Sequence, residues 1–188
     1  MQTHVTVSKA EYRWHQEVSG IKAEWVDGLI RTMPSARDPH ILRTDALVES
    51  IRPRLRRSKG PCRFRGVDCQ IGPRRGGWLT YPDGLIACPP EFDPEETVAV
   101  CINPTVIFEV ASPSTARYDR TGKFERYKEI PEFREYVLIE PETPRIDVLR
   151  APAWETETLE GFDAVLRLET VGIEVPLSEI YVDLTPDG

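Results

Sequence analysis

Little in this sequence invites a membrane, a zinc ion or a polyanion. No apolar run approaches the roughly 20 residues that a spanning helix needs. The first residues, MQTHVTVSKAEYRWH, hold no signal-peptide core. A cytoplasmic protein with no membrane partner is therefore expected. Histidine occurs only three times and never as a close pair, and the four cysteines, Cys62, Cys69, Cys88 and Cys101, form no CxxC. The usual zinc spacings are thus missing, and in a cytosolic chain the expected state is four reduced, partly buried thiols. Excess positive charge is missing too: the formal net charge is −7, which argues against passive, nonspecific binding of nucleic acid. Repeats, low-complexity stretches and linkers are absent. What remains is 188 residues, 40% hydrophobic and 29% charged, read as a single domain over 1–188 with enough length for a real core.

The acidic total hides an uneven distribution. Arg52, Arg54, Arg56, Arg57, Lys59, Arg63, Arg65, Arg74 and Arg75 face a single acid, Asp68, across that stretch. A basic patch on an acidic protein is one reading; a solvated helix end and loop is the other.

The chain is organised around Asn103 to Tyr136. Val106, Ile107, Phe108, Val110 and Ala111 form an apolar run on both strand faces, which predicts a central strand covered on both sides. Glu109 lies inside that run. An isolated ionised carboxylate there is costly, so Glu109 is expected to be paired, protonated or on a metal. Ser112-Pro113-Ser114-Thr115 supplies turn and N-cap chemistry. Lys123, Tyr127 and Ile130 then fall at i, i+4 and i+7 of a helix that Pro131 ends. Lys123 on that stripe either faces Glu109 or lays its stem on the core while its head reaches water.

Around this centre, Ser8-Lys9-Ala10-Glu11 is a capping box opening a helix to about Val18. Asp27-Gly28 marks a hairpin within 21–33, and Glu24 on its first arm is expected to face solvent. A helix is predicted from His40 through Arg57, kinked or frayed at Pro53. His40, alone at its start, reads as a capping or surface residue. Strands are predicted over 63–71 and 78–88, the second irregular at Pro82, with alternation placing Asp83 on the face of Tyr81 and Leu85. A short apolar run follows at 98–102. A hairpin over 135–140 and 146–149, a run at 164–168 and a final helix at 177–181 complete the chain.

Asp83, Glu109 and Lys123 thus fall on strand, strand and helix in turn. Two carboxylates on adjacent strands can hold a hard divalent cation through oxygen. Such an ion activates water at a phosphate, and a nearby lysine can orient that water or stabilise the developing charge. A structural Glu109–Lys123 ion pair would leave the same sequence. The chain also resembles the Uma2 (DUF820) family, a branch of the PD-(D/E)XK nuclease superfamily. The resemblance rests on Glu24-Trp25-Val26-Asp27-Gly28, His40, Tyr81-Pro82-Asp83, Asn103-Pro104 and the run Phe108 to Thr115. It continues through Tyr118-Asp119-Arg120, Lys123, Tyr127, Arg134 to Ile139 and Ile180-Tyr181. It spans nearly the whole chain, and the EVxSPST–DRxxKxxxY stretch is its most specific part.

The resemblance implies an α/β (α+β) fold: a restriction-endonuclease-like core with a mixed, bent sheet, flanking helices, and an N-terminal helix and hairpin. It implies Asp83 and Glu109 as metal ligands for Mg²⁺ (or Mn²⁺), with the Val110 carbonyl as a third, and Glu24, His40 and Tyr127 as supporting residues. The superfamily's usual strand lysine would stand at position 111, where this chain has Ala111; relatives of this kind supply it from the next helix, here Lys123. The implied activity is metal-dependent endonucleolytic hydrolysis of DNA, by a homodimer. The alternative is a non-catalytic nucleic-acid-binding or dimerising protein that keeps the nuclease fold.

Overall fold

The computed structural model describes residues 6–33, 36–112 and 122–185. Ser8 and Glu11 close the capping box, Ser8 Oγ accepting from Glu11 N at 3.2 Å and Glu11 Oε2 from Ser8 N at 2.7 Å. Helix α1 (Lys9–Ser19) follows and stops at Gly20. Strands β1 (Ala23–Val26) and β2 (Leu29–Thr32) form the hairpin about Asp27-Gly28, whose φ angles of 53° and 80° match a turn that needs both residues left-handed. Helix α2 (Asp38–Arg57) runs on through Pro53, which lies on its exposed side. Arg43, fully buried, ties α2 to the C-terminal segment by donating to the Ile180 carbonyl and the Asp183 carboxylate.

Strands β3 (Arg63–Gly66), β4 (Gln70–Ile71), β5 (Trp78–Leu79), β6 (Gly84–Ala87), β7 (Val100–Cys101) and β8 (Val106–Val110) come next. Helix α3 (Phe124–Tyr127) leads to β9 (Glu135–Ile139), β10 (Arg145–Arg150), β11 (Thr156–Glu160), β12 (Val165–Leu168), β13 (Ile173–Pro176) and α4 (Leu177–Ile180). The main sheet runs β11-β10-β9-β8-β6-β3, with β8 and β9 parallel and the other neighbours antiparallel. Strand β8 sits inside it with all five residues buried, as its two-sided apolar run predicts. Period-2 alternation splits it between two cores. Val106, Phe108 and Val110 join Leu47, Ile51 and Leu55 of α2 on one face; Ile107 joins Phe124, Tyr127, Phe133 and Tyr136 on the other. The hairpin pairs instead with β5 in a separate three-stranded sheet.

Three expectations need correction. The segment 63–71 is two strands, because Val67-Asp68 turns the chain from the main sheet to the β4–β7 pair. The segment 78–88 also belongs to two sheets, since the chain leaves strand geometry around Pro82 and re-enters it at Gly84. Alternation therefore does not orient Asp83. Gly84 is needed where it stands: a Cβ there would lie 2.7 Å from the Phe64 ring. Finally, Cys62 and Cys88, one step beyond the paired Arg63 and Ala87 on adjacent antiparallel strands, are disulfide-bonded. Cys69 and Cys101 are the free, buried thiols, and burial pushes the Cys69 thiol up to about 12.

Candidate active site

The ends of β6 and β8 and the start of α3 meet the hairpin strand β1 at one place. Glu109 lies on the β8 face that α3 covers, and Lys123 stands at the entrance of that helix. Glu24, Glu109 and Lys123 are 5%, 3% and 6% exposed. Lys123 Nζ lies 3.2 Å from Glu24 Oε1 and 3.2 Å from Glu109 Oε1. Its head is thus inside, bridging two carboxylates. One turn on, Tyr127 OH donates to Glu109 Oε1 at 2.6 Å, so the i, i+4 spacing delivers both donors to one carboxylate. The Tyr127 ring is fixed by Trp78, Phe133 and Tyr136, with centroids 5.8–6.0 Å away. The same Glu24 oxygen, Oε1, also accepts from the Tyr81 N–H at 3.2 Å.

Asp83 completes the cluster from the break between β5 and β6. Pairing of β6 with β8 ends at Gly84 opposite Phe108. The next N–H on that edge, Val110, is then free of the ladder, and it donates to Asp83 Oδ2 at 2.7 Å. In an extended strand the N–H and C=O of one residue leave on the same edge, so the Val110 carbonyl also leaves on the Asp83 side. Asp83 Oδ1 lies 3.0 Å from His40 Nε2, which the first turn of α2 presents.

The seven residues singled out from the sequence thus fall into two contact groups, Glu24, Lys123, Glu109 and Tyr127 in one and Asp83, Val110 and His40 in the other, joined where Glu109 and Val110 adjoin on β8. Two were misread on residue character alone. Glu24 is buried rather than solvent-facing, and its neighbours Ala23, Trp25 and Val26 are buried with it; an apolar run on both sides of an acid was the available signal. His40 is not a cap, since Arg37 holds that position. The Tyr81 amide had no sequence signal, as any residue could supply it. The turn from Pro113 to Thr115 and the stretch Tyr118-Asp119-Arg120 lie outside the described residues.

The sequence profile of the Uma2 family, described as "Putative restriction endonuclease", matches residues 10–178. The chain belongs to the Uma2 family. "Uncharacterized protein slr1290" of Synechocystis sp. is 28% identical over 178 residues, covering 93% of this chain and 91% of that protein. "Uncharacterized protein sll1609" of the same organism is 41% identical over 68 residues, 36% of this chain and 38% of that one. A crystal structure from Anabaena variabilis, described as "a putative nuclease belonging to DUF820", superimposes with a TM-score of 0.73. It covers 97% of this chain and 100% of that one at 16% identity. The mixed α/β architecture of this Uma2 chain is thus shared with that structure.

The donor set fits a hard divalent cation. Among the described residues the centre holds Glu24, Asp83 and Glu109 against the one lysine, with His40 adding charge only when protonated. The carboxylate oxygens of Asp83 and Glu109 and the Val110 carbonyl are the ligand types that Mg²⁺ or Mn²⁺ takes. Among the described residues no three His, Cys, Asp or Glu side chains converge as a ready-made cage. Mg²⁺ sites commonly use only one or two carboxylates and leave the remaining positions to water and phosphate.

Tyr127 offers a test of how Glu109 is held. Burial first, and the Glu109 charge second, push its phenol well above the usual 10.0. The folded chain then binds this proton more tightly than the unfolded chain, so its contribution is intact at neutral pH and is lost as pH rises beyond about 10. Tyr127→Phe should lower stability at neutral pH by about 1–3 kcal/mol, the cost of leaving a buried carboxylate one donor short, and should blunt the alkaline loss. Urea unfolding at neutral pH and above pH 10 checks both; parental stability at neutral pH would show that Glu109 does not depend on Tyr127.

No helix among the described residues is long and apolar enough to cross a membrane.

Proposed function

We propose that this protein is a metal-dependent endonuclease that hydrolyses DNA phosphodiester bonds, with Asp83, Glu109 and the Val110 carbonyl holding Mg²⁺ or Mn²⁺. The observation that carries the reading is Lys123, buried between Glu24 and Glu109, with Asp83 bonded to the amide of Val110, the residue after Glu109. A lysine with no task but solubility would keep its head in water.

Each residue has a part that its contacts support. Tyr127 and Lys123 fix the rotamer of Glu109. Val110 N–H and His40 fix Asp83. Glu24, itself held by the Tyr81 amide, positions the Lys123 ammonium, ready to orient the attacking water and to stabilise charge on the phosphate oxygens. A bound divalent ion supplies Lewis-acid neutralisation of the scissile phosphate.

A second reading has its own support. Position 111 is alanine, and both Glu109 oxygens already lie within 3.4 Å of Lys123 Nζ, as in a structural ion pair. A non-catalytic nucleic-acid-binding protein would keep this arrangement. Incubation with supercoiled plasmid, with Mg²⁺, with Mn²⁺ and with chelator, separates the two. Relaxation or linearisation that needs the metal supports the nuclease. Intact plasmid at high protein, with retarded migration, supports the binder.

A further inference from the structure

The nine cations between Arg52 and Arg75 do not form one patch. Arg54 grips Glu179 with two bonds of 2.7 and 2.9 Å, Arg74 pairs with Glu91 at 2.7 Å, and Arg63 turns back onto the Gly60 and Cys62 carbonyls at 2.8 Å. Two others behave differently. Arg52 of α2 lies over the Phe64 ring, with Cζ 5.8 Å from its centroid, and Arg65 of β3 lies over the Phe92 ring at the same distance. Arg65 also donates to the Phe64 carbonyl at 3.4 Å. Neither makes a carboxylate pair among the described residues. Both line one open cavity of about 430 Å³, and Asp83 lines it too.

We infer that Arg52 and Arg65 form a phosphate subsite, which receives the backbone of a nucleic-acid strand running from this cavity to Asp83. A guanidinium resting on an aromatic face is positioned and partly desolvated, yet its N–H fork stays available to a phosphate. Three acids line the cavity as well: Asp68, 95% exposed and 3.2 Å from Lys22, and the exposed Asp45 are screened by water, and Asp83 is the residue the strand runs to. On a chain of net charge −7, nucleic acid needs such a local seat. The inference rests on the nucleic-acid part of the reading above and not on cleavage. It names the side from which the strand approaches: the groove between α2 and β3.

Gly66 supplies a variant that leaves both arginines in place. It lines the same cavity, and a Cβ there meets nothing within 4 Å, so Gly66→Glu has room at its first carbon and adds an anion to the cavity lining. Binding of a fluorescein-labelled DNA duplex is followed by anisotropy in chelator, across a salt series. Arg52→Ala and Arg65→Ala should each lower the salt slope by about one and weaken binding about tenfold at roughly 50 mM salt. Arg52→Lys and Arg65→Lys should restore the slope, and Gly66→Glu should weaken binding at least as much while Gly66→Ala does not. Arg167→Ala, the same charge change on an exposed residue paired with Glu174, should leave binding near the parental value. Thermal midpoints confirm that each variant is folded. Unchanged slopes and affinities in both arginine variants overturn the subsite, as does a parent that binds no duplex. If the variants lose binding but the parent never cleaves with Mg²⁺ or Mn²⁺, the subsite stands and the nuclease reading falls. If the parent cleaves and the variants bind like it, the reverse holds.

Discussion

Asp83→Asn should abolish metal-dependent cleavage while leaving the fold intact. The substitution is nearly isosteric, and the contacts of Asp83 say what an amide would keep. Its oxygen can still accept from Val110 N–H, now at 2.7 Å, and its NH₂ can face His40 Nε2, now at 3.0 Å, in the tautomer where that nitrogen accepts. Stability should therefore change little. The charge, however, is gone, and a hard cation held by few protein oxygens depends strongly on charge. If the ion supplies several kcal/mol of transition-state stabilisation, its loss corresponds to on the order of 10³-fold in rate. A thermal-shift titration gives a second readout, because an ion that binds only the folded state raises the midpoint by mass action. The parent should show a saturable rise with Mg²⁺ or Mn²⁺ and the variant should not. An identical rise in both would move the cation away from Asp83; no rise in either would leave only the ion-paired reading.

The strand that carries Glu109 was legible because burial on both faces leaves a continuous apolar run, and an acid within it stands out. The hairpin was legible because Asp27-Gly28 dictates its own backbone. The Lys123–Tyr127 pair was legible from helical spacing, although the helix itself is only Phe124–Tyr127 among the described residues. What stayed hidden depends on contacts distant in sequence. The break between β5 and β6 puts one apparent strand into two sheets, and only that break turns Asp83 toward β8. Glu24 reaches Lys123 across 99 positions because β1 pairs with β5, and no local pattern encodes that pairing. The Cys62–Cys88 bond follows from antiparallel register, not from cysteine spacing. The basic segment illustrates the limit most directly: composition saw nine equivalent cations, whereas packing commits several elsewhere and turns Arg52 and Arg65 to the cavity.

Lys123→Met is the sharpest test of whether the buried lysine is structural or chemical. Methionine keeps the unbranched stem and removes the ammonium, leaving Glu24 and Glu109 buried around a space that their shared cation filled. Breaking a buried pair from one side typically costs about 3–5 kcal/mol, and here two carboxylates are stranded at once. At neutral pH and without metal, a loss in that range is expected by urea unfolding. Acid should restore part of it. Two like charges brought together raise the proton affinity of one of them above its value in the unfolded chain, so the variant gains on its parent as pH falls and loses as pH rises through the raised value. A divalent cation should restore stability as well, since it supplies the missing positive charge. Restoration by metal creates the decisive condition: a folded, metal-loaded protein without its lysine. If Lys123 orients the attacking water or stabilises the phosphate, cleavage stays low there. If it only neutralises Glu24 and Glu109, cleavage returns with stability. A variant as stable as the parent without metal would contradict the buried bridge itself.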